Sequence, residues 1–212
     1  MTETSAKTEK EMAGETSVNA GSRESSPSAF ITSDEELTTL ARRAVEAFVR
    51  EHHVIEPAYV DSPSLLSRPA ACFVSIKTDR GELRGCIGTI EPATRTFAEE
   101  LIANAISAAT HDPRFLPIAP NELDSLRYSV DVLTQPEPCR FEDLDPSIYG
   151  VIVEDEASGR RGLLLPALEG VRTSAQQAEI AARKAGLKAG APLKFYRFRV
   201  QRFREPPPKN TF

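Results

Sequence analysis

The chain has 212 residues and a net charge of −5, a balance that favours solubility and argues against duplex nucleic acid as the main partner. Its 40% hydrophobic and 27% charged residues are ordinary for a soluble domain, and no apolar run approaches the roughly 20 residues that span a bilayer, which argues against a membrane partner. Three cysteines, an odd number in a chain too large to need staples, fit free thiols in a reducing compartment; with no export signal visible, the expected location is cytoplasmic.

Residues 1–29 contain no Leu, Ile, Tyr or Phe and cannot offset their ordering entropy, so they read as a disordered tail. The folded unit is expected over 30–205, with a second short tail at 206–212. Ser33, Asp34, Glu35 and Glu36 form a capping-box pattern ahead of Leu37, Leu40, Ala41, Ala44, Val45 and Phe48 at helical spacing, which predicts a helix ending near His52. After a Pro- and Ser-containing loop, Cys72 to Ile76 and Leu83 to Gly88 flank a turn at Thr78 to Gly81 and predict a hairpin. Strict alternation would then put Arg84, Cys86 and Gly88 on one face and Leu83, Gly85 and Ile87 on the other.

Pro92 and Thr94 introduce a second helix, running to about Thr110, with Phe97, Leu101, Ala105 and Ala108 on one face. A helical turn is expected around Asn121 to Leu126, and Arg127 to Thr134 alternates as a half-buried strand. Gly150 to Glu154 and Gly162 to Leu165 predict a second hairpin. Thr173 or Ser174 caps a helix that stops at Gly186, and Lys194 to Phe203 reads as one last strand. Hairpins and helices without a regular strand-helix-strand repeat indicate an α+β fold.

The run Leu83-Arg84-Gly85-Cys86-Ile87-Gly88 places a thiol, a guanidinium and two glycines in a strand. Glycines weaken a strand, and Gly85 and Gly88 mark a bulge or a place where a ligand or another backbone comes close. Cys86 is the candidate nucleophile, with Arg84 placed to favour its thiolate if the strand is regular; the competing reading is a packed core thiol. His111, beside Asp112, is the candidate base, and surface capping of the helix end is the alternative. Asp112 and Arg114, around Pro113, either bind a polar substrate or lock a loop. No metal site is expected, since neither a His pair nor a Cys pair stands at ligand spacing, and no cofactor is implied. Cys72 sits in an apolar strand and Cys139 in a Pro-rich loop, so both read as core or incidental residues. The basic and aromatic residues from Lys194 to Arg204 allow a weaker reading as an RNA surface, against a solvated strand face.

On Leu83 to Gly88, Asp112-Pro113-Arg114-Phe115, Arg161-Gly162-Leu163-Leu164-Leu165-Pro166 and Arg183-Lys184-Ala185-Gly186-Leu187, the chain resembles the AMMECR family over roughly Asp34 to Glu205. Microbial members of that family are called AmmeMemoRadiSam system protein A. The resemblance implies an α+β fold, mainly antiparallel, with a larger and a smaller subdomain and the glycine-rich strand facing a cleft between them. It also implies a pathway shared with Memo-like and radical S-adenosylmethionine proteins. Two departures stand out: relatives often carry Gln-Val where this chain has Ala167-Leu168, and a Trp near the last strand where it has none. Two functions stay open, an enzyme or enzyme component that handles a small molecule at Cys86, Arg84, His111, Asp112 and Arg114, and a non-catalytic adaptor.

Overall fold

The computed structural model describes residues 34–57, 64–188, 190 and 192–206. The expected tails at 1–29 and 206–212 lie outside these residues apart from Pro206. Helix α1 (Asp34–Glu51) carries Asp34, Glu35 and Glu36 in its first turn and Arg50 in its last, charges that complement the helix dipole. It buries Leu37, Ala41, Ala44 and Val45, and it ends where His52 takes a left-handed φ of 54° and donates its N–H to Phe48 O.

Strands β1 (Cys72–Thr78) and β2 (Leu83–Gly88) form the expected antiparallel hairpin. Helix α2 (Phe97–Thr110) is capped by Thr96, in a capping box with Glu99, two residues later than the Thr94 expected. Thr94 instead joins Thr89 in donating its hydroxyl to Glu100, a buried carboxylate that also accepts the Ala93 and Thr94 N–H groups. Strand β3 (Leu126–Leu133) follows a 3-10 turn over Pro120–Ser125.

Strand β4 (Glu137–Cys139) was not expected, because Pro138 lies in it; it is an edge strand, where a residue without an N–H is tolerated. Strands β5 (Gly150–Asp155) and β6 (Arg161–Leu164) are the second hairpin, and helix α3 (Ser174–Lys184) starts at the Thr173 cap. The single last strand of the sequence reading is two, β7 (Leu193–Phe198) and β8 (Val200–Arg204). Alternation runs past Arg199 to Gln201, and the phase changes only at Arg202 and Phe203, so the pattern puts no sign at the break itself. There the N–H of Arg199 donates to the Thr134 hydroxyl and its carbonyl accepts the Thr134 N–H, so the chain leaves one sheet and enters the other.

The result is α+β, with two four-stranded antiparallel sheets ordered β2-β1-β3-β8 and β4-β7-β5-β6. Helices α1 and α2 pack on one face of the first sheet around Val74, Ile76, Leu101, Tyr128 and Val130, while α3 packs on β5 and β6. A third cluster joins the sheets, with Ala71 and Leu133 from the first side meeting Ile152, Leu163 and Phe198 from the second. Phe73, Leu165, Tyr196 and Val200 pack around it. It covers one end of the helix-free face of the first sheet and leaves the other end open.

Candidate functional site

The pairing of β1 with β2 matches Ile76 to Gly85 and Lys77 to Leu83, so Arg84 is an extra residue in a bulge. The bulge removes Arg84 from the face that regular alternation would give it with Cys86. Its guanidinium is committed to Glu122 through two bonds of 2.7 and 2.9 Å, and it donates to Leu116 O at 2.8 Å and Pro117 O at 3.3 Å. This pairing holds the Glu122 carboxyl below its ordinary value. The glycines serve internal packing: a Cβ on Gly85 would stand 2.0 Å from Ala108 O of α2, and one on Gly88 2.4 Å from Cys72 O. The close backbone approach expected at both positions comes from the protein itself.

Strand β2 lies at the edge of its sheet, so the backbone groups of Cys86 that β1 does not pair need other partners. Asp112 supplies one, accepting the Cys86 N–H at 2.8 Å. The same carboxylate accepts the Arg114 N–H at 3.1 Å and grips its guanidinium at 2.9 and 2.7 Å, and Arg114 donates onward to Cys86 O at 3.4 Å. These bonds, led by Arg114 and opposed by burial, hold the Asp112 carboxyl well below the usual carboxylate range. Asp112 and Arg114 therefore clamp the backbone on either side of the thiol. His111 is the exposed C-cap of α2; its Nδ1 lies 2.7 Å from Thr110 Oγ1, and Asp112 spends its hydrogen bonds elsewhere.

The Cys86 sulfur accepts the Ser75 hydroxyl at 3.2 Å. The registers extend that pair into a row across all four strands, Cys86, Ser75, Ser129 and Arg204, beside a second row of Gly88, Phe73, Asp131 and Arg202. These rows form the face opposite the helices, since the intervening Val74, Ile76 and Val130 are buried in the helix-covered core. Asp131 is buried and takes a fork of 2.6 and 2.8 Å from Arg202. Arg114, which donates to the Cys86 carbonyl, and Arg202, in the neighbouring row, border Cys86 in place of Arg84. Ser75, Ser129 and Asp131 were missed as candidate site residues, and Arg202 and Arg204 entered only through the weaker RNA-surface reading. The alternation of β3 showed Ser129 and Asp131 sharing a face, but no local pattern tells that β1 lies between β2 and β3.

At the β8 edge of this face a cavity of about 420 Å³ opens, walled by Val200, Arg202 and Arg204 on one side, Ser147, Ile148, Pro166 and Ala167 on the other, and Asp34 at its rim. A larger cavity, of about 610 Å³, lies where the two sheets meet, against Pro69, Ile90, Pro136, Arg161 and Tyr196. Cys86 is in neither wall; it sits half-buried on the polar rows. The other thiols are worse placed for chemistry. Cys72 is fully buried and pushed up to about 12 by desolvation, and Cys139 is pushed up for the same reason. Among the described residues no group of three or more His, Cys, Asp or Glu is placed to hold a metal ion, and no helix is long and apolar enough to cross a membrane.

The AMMECR1 family model matches residues 38–203. A protein of Thermotoga maritima is 46% identical over 166 residues, covering 77% of this chain and 94% of that one. A Clostridium acetobutylicum protein is 44% identical over 168 residues, covering 78% of this chain but 35% of its own length, so the matching part there belongs to a much longer chain. The crystal structure of an uncharacterized protein from Pyrococcus horikoshii superposes with a TM-score of 0.70 at 31% identity, over 82% of this chain and 96% of that one.

Proposed function

The chain belongs to the AMMECR1 family, and from that premise we propose that it is an enzyme or enzyme component that handles a small molecule on the open polar face of its first sheet, with Cys86 as the reacting or attaching thiol. The observation that carries this reading is the setting of the Cys86 sulfur. It faces away from the helix-packed core, takes a hydroxyl donor from Ser75, and is bordered by Arg114, which donates to the Cys86 carbonyl, and by Arg202 in the neighbouring row. A sulfur that merely filled the core would not need a guanidinium held by a buried carboxylate on the same face. Asp112 and Arg114 act as positioning residues, fixing the backbone of Cys86 from outside the sheet, and Arg84 fixes the bulge. Three unpaired thiols support a reducing compartment, in keeping with a cytoplasmic home.

The test is alkylation of the native protein by iodoacetamide, with Cys86, Cys72 and Cys139 resolved by peptide mass spectrometry. Cys86 is expected to label at least ~100-fold faster than Cys72, whose thiolate burial suppresses. Protection of Cys86 until the protein unfolds would sink the thiol reading.

A second reading has its own observation. The Clostridium acetobutylicum relative carries the matching part within a chain nearly three times the matched length. That arrangement supports a module that presents a substrate to a neighbouring catalytic unit, with Memo-like and radical S-adenosylmethionine proteins as the proposed partners. A stoichiometric complex that forms equally with wild type and Cys86→Ser would favour this adaptor role, and its absence with both partner classes would remove it.

A further inference from the structure

Arg202 and Arg204 stand two residues apart on β8, so both side chains belong to the face that carries Cys86, and both line the cavity of about 420 Å³. Arg202 is fixed by its fork onto buried Asp131 through Nε and Nη2, which leaves Nη1 as a donor without a partner among the described residues. The Arg204 guanidinium has neither a carboxylate nor any other hydrogen-bond partner among the described residues. The one carboxylate on the cavity wall, Asp34, is turned onto the backbone N–H of Arg204 at 3.5 Å. Next to these donors, the Ser129 hydroxyl continues the polar row toward Ser75 and Cys86.

The opposite wall is built, not incidental. Ala167 holds φ 53°, a left-handed conformation unfavourable for a residue with a Cβ, and its N–H donates to Pro146 O at 2.8 Å. Gln177, fully buried on α3, ties the same two loops from behind by donating to Tyr149 O at 2.8 Å and Leu165 O at 3.4 Å. The tips of those loops, Ser147-Ile148 and Pro166-Ala167, are the cavity wall facing the arginines.

We infer that Arg202 and Arg204 form an anchoring subsite for an anionic oxygen group, a carboxylate or phosphate, at one end of an extended small molecule whose other end lies at Cys86. The guanidinium edge suits either oxyanion. The reach follows from the sheet: β8 and β2 are three strand spacings apart, about 14 Å at ~4.8 Å each, so the molecule spans roughly that length less the reach of the arginine side chain. This inference rests on the proposed role of the open face and names the chemistry of the ligand there.

The experiment is isothermal titration of the full chain with inorganic phosphate and, separately, with succinate, on wild type, Arg204→Gln, Cys86→Ser and Arg199→Gln. Arg204→Gln leaves no buried carboxylate behind and should melt like wild type, whereas a change at Arg202 would strand Asp131. One-to-one binding of either anion, weakened at least about tenfold by Arg204→Gln and unaltered by Cys86→Ser or by Arg199→Gln outside the cavity, is the expected result. The preferred anion tells a phosphate ligand from a carboxylate one. No saturable binding of either anion up to tens of millimolar, or binding indifferent to Arg204→Gln, overturns the inference. If Cys86 still alkylates rapidly in that case, the anchoring subsite falls while the thiol reading stands.

Discussion

At the scale of single residues, side chains that attract notice in the sequence divide into those that act on the fold and those left free for a ligand. Asp112 belongs to the first group, since every hydrogen bond its carboxylate accepts comes from Cys86 or Arg114. Its carboxyl lies below the unfolded value of about 3.9, so its contribution to stability is complete above that pH and is lost as the pH falls through the lower folded value. Asp112→Asn is therefore expected to cost about 1–3 kcal/mol at neutral pH, with the gap to wild type constant between about pH 8 and 5 and closing below about pH 4. Urea midpoints across that range measure it, and a gap that does not narrow in acid contradicts the assignment. Gly85 is the second case. A methyl group there meets a helix carbonyl that cannot step aside, so Gly85→Ala should destabilise by about 3 kcal/mol or more, with α2 displaced from the sheet. A melting temperature within a degree of wild type would mean that the helix and hairpin yield.

At the scale of elements, the loop between β2 and α2 shows what a buried carboxylate does for a segment without regular structure. Glu100 takes the hydroxyls of Thr89 and Thr94 and the N–H groups of Ala93 and Thr94, so one side chain from α2 satisfies a whole loop. Glu100→Ala is expected to cost about 3 kcal/mol by leaving several donors unpaired. Its signature is local: hydrogen exchange at Ala93 and Thr94 should quicken far more than in the strands, and uniform quickening would mean that the carboxylate supports the whole fold. This loop also marks the limit of what was legible in the sequence. Helices α1, α2 and α3 and both hairpins were readable because hydrophobic period and caps are local signals. The Thr96 cap was legible as well, since Glu99 completes a capping box with it while Phe97 stands at that place after Thr94, yet the reading fell on Thr94, whose hydroxyl goes to Glu100. The break at Arg199 was missed because alternation continues past it to Gln201, and the change of phase shows only at Arg202 and Phe203; β4 was hidden by Pro138. In the candidate site, the glycines that drew notice to Cys86 make room for Ala108 and Cys72, and the neighbours Ser75, Asp131 and Arg202 depend on strand order, which is set by contacts far apart in the chain.

At the scale of the whole molecule, the open polar face exists because the two sheets are joined at one end of it and not at the other. The joint is the cluster of Ala71, Leu133, Ile152, Leu163 and Phe198, reinforced by a chain that passes from β7 to β8 through Arg199 and from β3 to β4 beside it. Phe198 is its largest member, buried to 2% exposure and closed against Gly150, where a Cβ would meet its ring at 2.2 Å. With such a joint, the sheets should unfold as one unit, and calorimetry of the wild type is expected to show a single transition whose calorimetric and van't Hoff enthalpies agree. Truncating the joint tests this: Phe198→Ala removes about 3–5 kcal/mol of packing from the one place where both sheets share a core. Each sheet keeps its own helices and its own apolar cluster, α1 and α2 on the first and α3 on the second, so the loss falls on their coupling. The variant is expected to melt in two steps, with the α3 side first because its cluster is the smaller. A single transition, merely lowered in temperature, would show instead that the sheets are coupled through β7–β8 and the strand links alone. The polar face would then depend on the continuity of the chain more than on the apolar joint.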